Sequence, residues 1–468
     1  MKRKITLLLS CSIVLSINSF AQEKLHLTLS EAKGYALRHN RTLKSSELAV
    51  QKAEAAKWQA IASMLPHVDA KLGYTNFLGY SAALNLGGSG GGDGAANLPF
   101  NGDPLHDQMV GVAAETIGAL MGSGGATEIA MNPYGDLALQ ATMVFTGMQV
   151  VGVQLSNLVI DMSKKNLQLN DLNVKANVTT AYLSVLVAEQ SKKLLESSKE
   201  NVQKLYETTK KMYEVGVAEQ TAVDQLGVQV GLIANEVKKT ERNIELAYNA
   251  LRLILGVNSA TELALSDNID NFLANNDAYA TAAAEFDMSK NYTVQLLNQN
   301  VKISEKQVAL KTWEHTPTLV LFYQHSEKTY FGKAEGFNMT PPNTIGATVN
   351  IPIFSSGERY SKLTQAKIDL KSAQLTRDDA VEGLRVQERQ LRFLLNSAIE
   401  TYELQKKNVE VSTRIFEKTV QKYQLGTVSS TELTTINNNL IAAQGSYIGA
   451  LMELLTAQVN LQRLLQEL

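Results

Sequence analysis

The chain has 468 residues, 44 Lys and Arg against 46 Asp and Glu, and a formal net charge of −2. Charges of both signs are interspersed, which argues against a nucleic-acid surface. The sole cysteine, Cys11, leaves the rest of the chain without a disulfide or a thiolate metal site. The chain begins Met1-Lys-Arg-Lys4, continues with an apolar run from Ile5 to about Ile17 and reaches Ser19-Phe20-Ala21 before Gln22. A basic start, an apolar core and a small-x-small ending read as a secretory signal peptide over residues 1–21, cleaved after Ala21. Acylation at Cys11 is the alternative, and it would leave an apolar core of only Ile5 to Leu9. No run of 18 apolar residues follows Ala21, so no transmembrane helix is expected, and a membrane part would have to be a β-barrel.

After the leader, Leu27-Thr-Leu-Ser-Glu-Ala-Lys-Gly-Tyr-Ala-Leu-Arg-His-Asn40 opens a helical pattern that ends at Leu65-Pro66. Strands follow at about 66–77 and 136–146. In the first, Val68, Ala70, Leu72 and Tyr74 alternate with Asp69, Lys71, Gly73 and Thr75. In the second, Leu137, Leu139, Ala141, Met143 and Phe145 alternate with Ala138, Gln140 and Thr142. Between them residues 79–135 form an insertion, where Gly87 to Gly94 reads as a flexible loop and Asp103 to Met121 as a short helix. A helical hairpin then spans 148–255, broken at Gly216 and stopped by Gly256-Val-Asn258. Residues 259–285, rich in Asn, Asp and Ala, connect to a second series.

That series repeats the first. Asn291 follows Asn40 by 251 residues, and so does Pro317 follow Pro66; Gly426 follows Gly216 by 210. The second series has a helix, strands at about 317–331 and 343–353, and a helical hairpin over 355–467. Ile345, Ala347, Val349 and Ile351 alternate with Thr344, Gly346, Thr348 and Asn350, whereas Thr318 to Tyr323 is apolar on both faces. The chain thus reads as one duplicated unit, with repeats at 22–258 and 286–468.

Ten-residue segments that are apolar on one side and small or polar on the other suit an outer-membrane barrel wall. A soluble sheet packed on helices shows the same alternation. Strand length, the export signal and the aromatics near strand ends (Tyr74, Phe77, Tyr80, Tyr323, Tyr330, Phe331 and Phe337) favour the barrel. Four strands cannot close one, because single-chain barrels start at about eight, so several copies must contribute.

The last helix carries two neighbouring seams. Leu433, Ile436, Leu440, Gln444, Tyr447, Leu451, Leu454, Gln458, Leu461, Leu465 and Leu468 form one, and Ile441, Ile448, Leu455 and Leu464 the other. Such a helix can meet a neighbour on each side, as the wall of a helical cylinder requires. At the hairpin tips, Gly216 and Gly426 suit a left-handed helix stop. Thr221-x-x-Asp224 and Ser429-x-x-Glu432 then read as capping boxes that restart a helix. No P-loop, dinucleotide fingerprint, zinc-protease or nucleophile-elbow motif is present. The six histidines (His26, His39, His67, His106, His315 and His325) show no metal spacing. No cofactor, metal or catalytic set is expected.

In the order of its features, the chain resembles the TolC-like outer-membrane efflux proteins: the export signal, the Leu27 to Asn40 opening, two Tyr-x-x-Gly breaks (Tyr213 to Gly216 and Tyr423 to Gly426) and the Pro352-Ile-Phe354 strand exit. The resemblance implies a mainly helical homotrimer with a twelve-stranded transmembrane β-barrel continued by a periplasmic α-helical barrel. It implies no enzyme but an exit duct in the outer membrane of a Gram-negative bacterium. Its partners would be a periplasmic adaptor (membrane fusion) protein and an inner-membrane pump or ABC exporter. The family's tip motif falls on Val215-Gly216-Val217 and Leu425-Gly426-Thr427, with Tyr213 and Tyr423 leading in, and these are the candidate adaptor-docking residues. Its aperture acid falls on Glu432, with Asp224 near the first tip; Ala222 and Val428 depart from the family pattern, as does Arg41 after Asn40. The rival reading is a periplasmic coiled-coil structural or adaptor protein without a barrel.

Overall fold

The computed structural model describes residues 25–78, 81–85, 126–130, 132–275, 277–331 and 341–468. The expected leader with Cys11, the glycine run Gly87 to Gly94, the helix expected within 103–121, His106, Tyr80 and Phe337 lie outside the described residues. In chain order the elements are β1 (Leu25–Leu27), α1 (Leu29–His39), α2 (Arg41–Ala62), β2 (His67–Thr75), β3 (Ser81–Asn85), β4 (Ala126–Ala130), β5 (Tyr134–Phe145), α3 (Gly147–Glu214) and α4 (Gln220–Leu255). Then come β6 (Leu263–Leu265), α5 (Ile269–Asn275), α6 (Ala278–Ala283), α7 (Tyr292–Trp313), β7 (Thr318–Tyr330), β8 (Asn343–Asn350), α8 (Glu358–Gln424) and α9 (Ser430–Leu465). Helices α3 and α8 have 68 and 67 residues, which at 1.5 Å per residue is about 100 Å each. Their return helices have 36 residues each, and α2 and α7 have 22 each.

Two compact units divide the chain, one of residues Met1–Gln51, Asp161–Asn300 and Gln374–Leu468, the other of Lys52–Ile160 and Val301–Ala373. In the first, the core gathers around Tyr182, Leu183, Val185, Leu251, Leu255, Leu451 and Leu455. The Tyr182 hydroxyl is within 3.0 Å of the Leu27 carbonyl and 2.8 Å of the Asp267 carboxylate, which also accepts from the Leu29 N–H. Burial, and then the adjacent carboxylate, push this phenol far above the ordinary tyrosine range, so it stays a donor. Strands β1 and β6 pair in parallel beside it. Neither strand was expected from the sequence, nor were α5 and α6 in the connector, because three-residue strands and one- to two-turn helices leave no measurable period.

A single opening helix was expected through Asn40, and the chain instead breaks there. Thr28 and Glu31 close a capping box at the start of α1. At its end Asn40 leaves the helical region, accepts from the N–H groups of Thr42 and Leu43, and donates to the Ile254 carbonyl at 2.8 Å. Asn291 does the same for α7, accepting from Thr293 and Val294 and donating to the Leu464 carbonyl at 3.4 Å. One asparagine thus caps the outgoing helix and ties it to the C-terminal end of a return helix, in both series.

Helix α9 buries Leu433, Leu440, Leu451, Leu454, Leu455, Gln458, Leu461 and Leu464, drawn from both seams. The polar gap at Gln458 is filled by a bond to the Thr281 hydroxyl at 3.1 Å. By length and composition α9 is also apolar enough to cross a membrane, although it holds no run of 18 apolar residues. Single polar residues interrupt its apolar runs, and a run-length reading stops at each of them. Its leucines pack on other helices of the same unit.

In the second unit β2, β5, β7 and β8 form one antiparallel sheet in that order, and β3 pairs with β4 antiparallel. The β3 and β4 pair lies inside the expected insertion and was not foreseen, being only five residues a strand.

Candidate docking tips and channel wall

Both hairpin tips are built by the same backbone device. At the first, the Val217 N–H reaches the Met212 carbonyl at 2.8 Å and the Gly216 N–H the Tyr213 carbonyl at 2.9 Å; at the second, Thr427 reaches Lys422 at 3.0 Å and Gly426 reaches Tyr423 at 2.9 Å. These crossed bonds are a Schellman stop, which needs a left-handed residue at the glycine. Gly216 has φ +78° and Gly426 +71°. A Cβ at either would meet no heavy atom within 4 Å. Conformation, and not space, therefore requires glycine there.

The restarts differ. Ser429 caps α9 by accepting from the Glu432 N–H at 3.1 Å, the first half of the expected capping box, and the Glu432 side chain is exposed. At the first tip the expected box does not form. Helix α4 begins at Gln220 with Glu219 as its cap residue, and Glu219 makes no side-chain cap bond. Thr221 is therefore already inside the helix, and its hydroxyl donates to Glu219 Oε2 at 3.0 Å. Asp224 Oδ1 accepts from the Gln220 amide at 2.8 Å. Ala222 is buried.

Of the candidate docking residues, Val215 and Leu425 are 74% and 78% exposed, and Val217 and Thr427 are exposed beside them. Apolar side chains held in water at two tips suit a protein partner better than solvent. Tyr423 is a correction to that set: it is only 7% exposed, and its hydroxyl meets Thr209 Oγ1 of the first hairpin at 3.0 Å. It joins the two hairpins. Tyr213, its counterpart, is 43% exposed. Further cross-hairpin bonds join Gln229 to Asn438 at 2.6 Å and Ser430 to Gln225 at 3.0 Å. The sequence carried no signal for these pairs beyond polar residues beside the apolar seam.

The sheet presents two unlike faces. Register places Val68, Ala70, Leu72 and Tyr74 of β2 beside Ala141, Leu139, Leu137 and Gly135 of β5. In turn Ala141 and Met143 lie beside Tyr323 and Leu321 of β7, and these beside Ile345 and Ala347 of β8. Opposed residues share a face, so this side is an apolar band, interrupted on β7 by His325 and Glu327 beside Leu139 and Leu137. It is uncovered in the single chain: Leu72 is 87% exposed and Ile345 84%. The other face carries Asp69, Lys71, Asp136, Gln140, Gln324, Lys328, Thr344 and Thr348. There Lys71 donates to Gln140 at 3.0 Å, and the Lys328 ammonium sits 4.9 Å from the Tyr134 ring centroid. A Cβ at Gly346 would lie 2.4 Å from the Phe322 ring, so β8 accepts that aromatic only with glycine opposite it. At one end of the sheet the rings of Tyr74 and Phe331, Phe77 and Tyr134, and Tyr134 and Tyr330 lie 5.6 to 6.1 Å apart.

A half-open cleft of about 350 Å³ in the helical unit is lined by Asn40, Arg41, Asn170, Asn173 and Asn177. Among the described residues no group of three or more His, Cys, Asp or Glu is placed to hold a metal ion.

An antiparallel sheet with one bare apolar face, and paired long helical hairpins, recur together in solved outer-membrane channel structures. The crystal structure of CusC superposes with a TM-score of 0.70 over 94% of this chain and 92% of that one, at 15% identity. The Campylobacter jejuni CmeC outer membrane channel gives 0.67 over 93% and 85% at 15% identity, and the open-state Neisseria gonorrhoeae MtrE outer membrane channel 0.68 over 93% and 88% at 14%. At such identities the likeness is one of fold. No curated protein matches the chain in sequence. More particularly, residues 288–466 match the family described as outer membrane efflux protein, so the resemblance to TolC-like efflux proteins rests on sequence as well as on shape.

Proposed function

We propose that this protein is the outer-membrane exit duct of a tripartite efflux or type I secretion system, conducting substrates passively from a pump and adaptor across the periplasm and outer membrane. It is a channel and not an enzyme. Three copies would each supply four strands to a twelve-stranded barrel and two hairpins to a periplasmic helical barrel, the chain being a duplicated unit with repeats at 22–258 and 286–468. One observation carries the reading: a four-stranded antiparallel sheet with a bare apolar face, a polar opposite face and two strands, β2 and β8, that each have a single neighbour. Such a sheet is unstable alone in water, and three of them closed edge to edge in lipid satisfy both the band and the edges.

Cell fractionation tests this. The protein should be recovered in the outer membrane as a trimer that resists detergent until heated. Recovery in the soluble periplasmic fraction would leave the adaptor-like coiled coil as the better account.

The exposed tips around Gly216 and Gly426 would dock a periplasmic adaptor, which joins the duct to an inner-membrane pump or ABC exporter. Within the mouth, three Glu432 carboxylates, with Asp224 nearby, would attract cations and bind a multivalent one. Glu432→Ala should weaken block of single-channel current by a multivalent cation several-fold. Unchanged block would leave Glu432 with a helix-start role alone, since its N–H and not its carboxylate bonds Ser429.

A further inference from the structure

The four-stranded sheet carries the duplication of the chain in its register. Val68 of β2 lies beside Ala141 of β5, and Leu319 of β7 beside Val349 of β8. Val68 and Leu319 are 251 residues apart, as Pro66 and Pro317 are, so Ala141 corresponds to Val349, 208 residues further on. Leu72 beside Leu137, and Tyr323 beside Ile345, give the same two spacings. The hairpin tips are 210 residues apart, and the two extra residues enter before α8, where Ser356 and Gly357 have φ +49° and +83°. Between the repeats Ala141 lies beside Tyr323 and Met143 beside Leu321, which is the step from the second strand of one repeat to the first strand of the next. Strand β8 is a second strand with no neighbour after it, and β2 a first strand with none before it.

We infer that β8 of one copy pairs antiparallel with β2 of the next in the register of that internal step, with Val349 beside Leu72, Ile351 beside Ala70 and Ile353 beside Val68. The inference rests on the homotrimer proposed above and fixes how its barrel closes. Applied to Ala141 and Tyr323, the spacings of 208 and 251 residues give Val349 and Leu72. The same shifts turn Met143 and Leu321 into Ile351 and Ala70, and Phe145 and Leu319 into Ile353 and Val68. The faces agree with this register. The apolar band passes from one copy to the next, and Lys71 falls beside Asn350 on the polar side. A slip of one residue would set Leu72 beside Asn350 and break the band. A slip of two keeps the faces, so the repeat alone selects among such registers. The pairing extends β8 from Asn350 to Ile353, whose side chain is 92% exposed in the single chain and gains Val68 as an apolar neighbour. A head-to-tail contact of this kind joins the free edge of each copy to the opposite edge of the next and can close a ring.

Disulfide trapping in the full-length chain tests the register, Cys11 being its only native cysteine. Opposed residues bring their Cβ atoms close to the roughly 4 Å that a disulfide needs, and residues one diagonal step away, at about 7 Å, do not. Adjacent pairs along an antiparallel ladder alternate in geometry, so two pairs are made, Leu72→Cys with Val349→Cys and Lys71→Cys with Asn350→Cys. At least one should give covalent dimers and trimers on a non-reducing denaturing gel. The slipped pairs, Leu72→Cys with Ala347→Cys and Leu72→Cys with Ile351→Cys, should link at least several-fold less. A slipped pair that links better than both opposed pairs, a native trimer that neither opposed pair links, or dimers from Leu72→Cys alone would overturn the register while leaving the trimer. A monomeric native mass for the unaltered protein would overturn the trimer itself and the register with it.

Discussion

Leu72→Arg is expected to cost about 2–4 kcal/mol of barrel stability and to empty the outer-membrane fraction of heat-resistant trimer. Leu72 is the most exposed residue of the apolar band, paired with Leu137 on the neighbouring strand and flanked on its own strand by Ala70 and Tyr74. On a water-facing surface the same change would fall within about 0.5 kcal/mol, because surface substitutions rarely do more. The difference comes from the solvent: a guanidinium facing hydrocarbon has no partner for its donors. Thr348→Arg, on the polar face of β8, should leave the trimer intact and change conductance instead. Trimer yield and dissociation temperature, measured for both variants, decide the matter. Equal effects from the two faces would remove the membrane assignment.

Gly426→Val should abolish export while leaving the trimer in the outer membrane. At φ +71° a side chain meets its own backbone, a cost of roughly 1–2 kcal/mol and more for a β-branched residue. That is a small part of the stability of a whole chain, but it shifts a local tip equilibrium by about 5–30-fold. The two crossed bonds to Lys422 and Tyr423 would open, carrying Leu425 and Thr427 away from their positions. Gly426→Asn should be milder, since asparagine tolerates the left-handed region. An export assay alongside a trimer gel separates the outcomes: normal export would remove the tip from docking, and loss of trimer would make the glycine a folding residue.

How much of this was legible beforehand varied with the range of the interaction. Gly216 and Gly426 were read from the residues around them, because a helix stop is a local event. The sheet faces were legible for the same reason: Val68, Ala70, Leu72 and Tyr74 alternate along one strand. The β1 and β6 pair and the Asn40 and Asn291 clamps were not, since each joins positions more than 150 residues apart. Even a local pattern misled at Thr221-x-x-Asp224, where α4 starts two residues too early for Thr221 to cap it.

By itself the sequence determined the periods, the breaks and the duplication: two for the strands, near 3.6 for the helices, one pair of tips 210 residues apart. These depend on the backbone and on neighbours within a turn or a strand. Only the tertiary structure decided which of two equivalent tyrosines is buried. Tyr423 and Tyr213 sit at matching places in matching hairpins, but Tyr423 has Thr209 beside it and Tyr213 has open solvent. Burial depends on what packs alongside, and in one chain only the inner flanks have a neighbour.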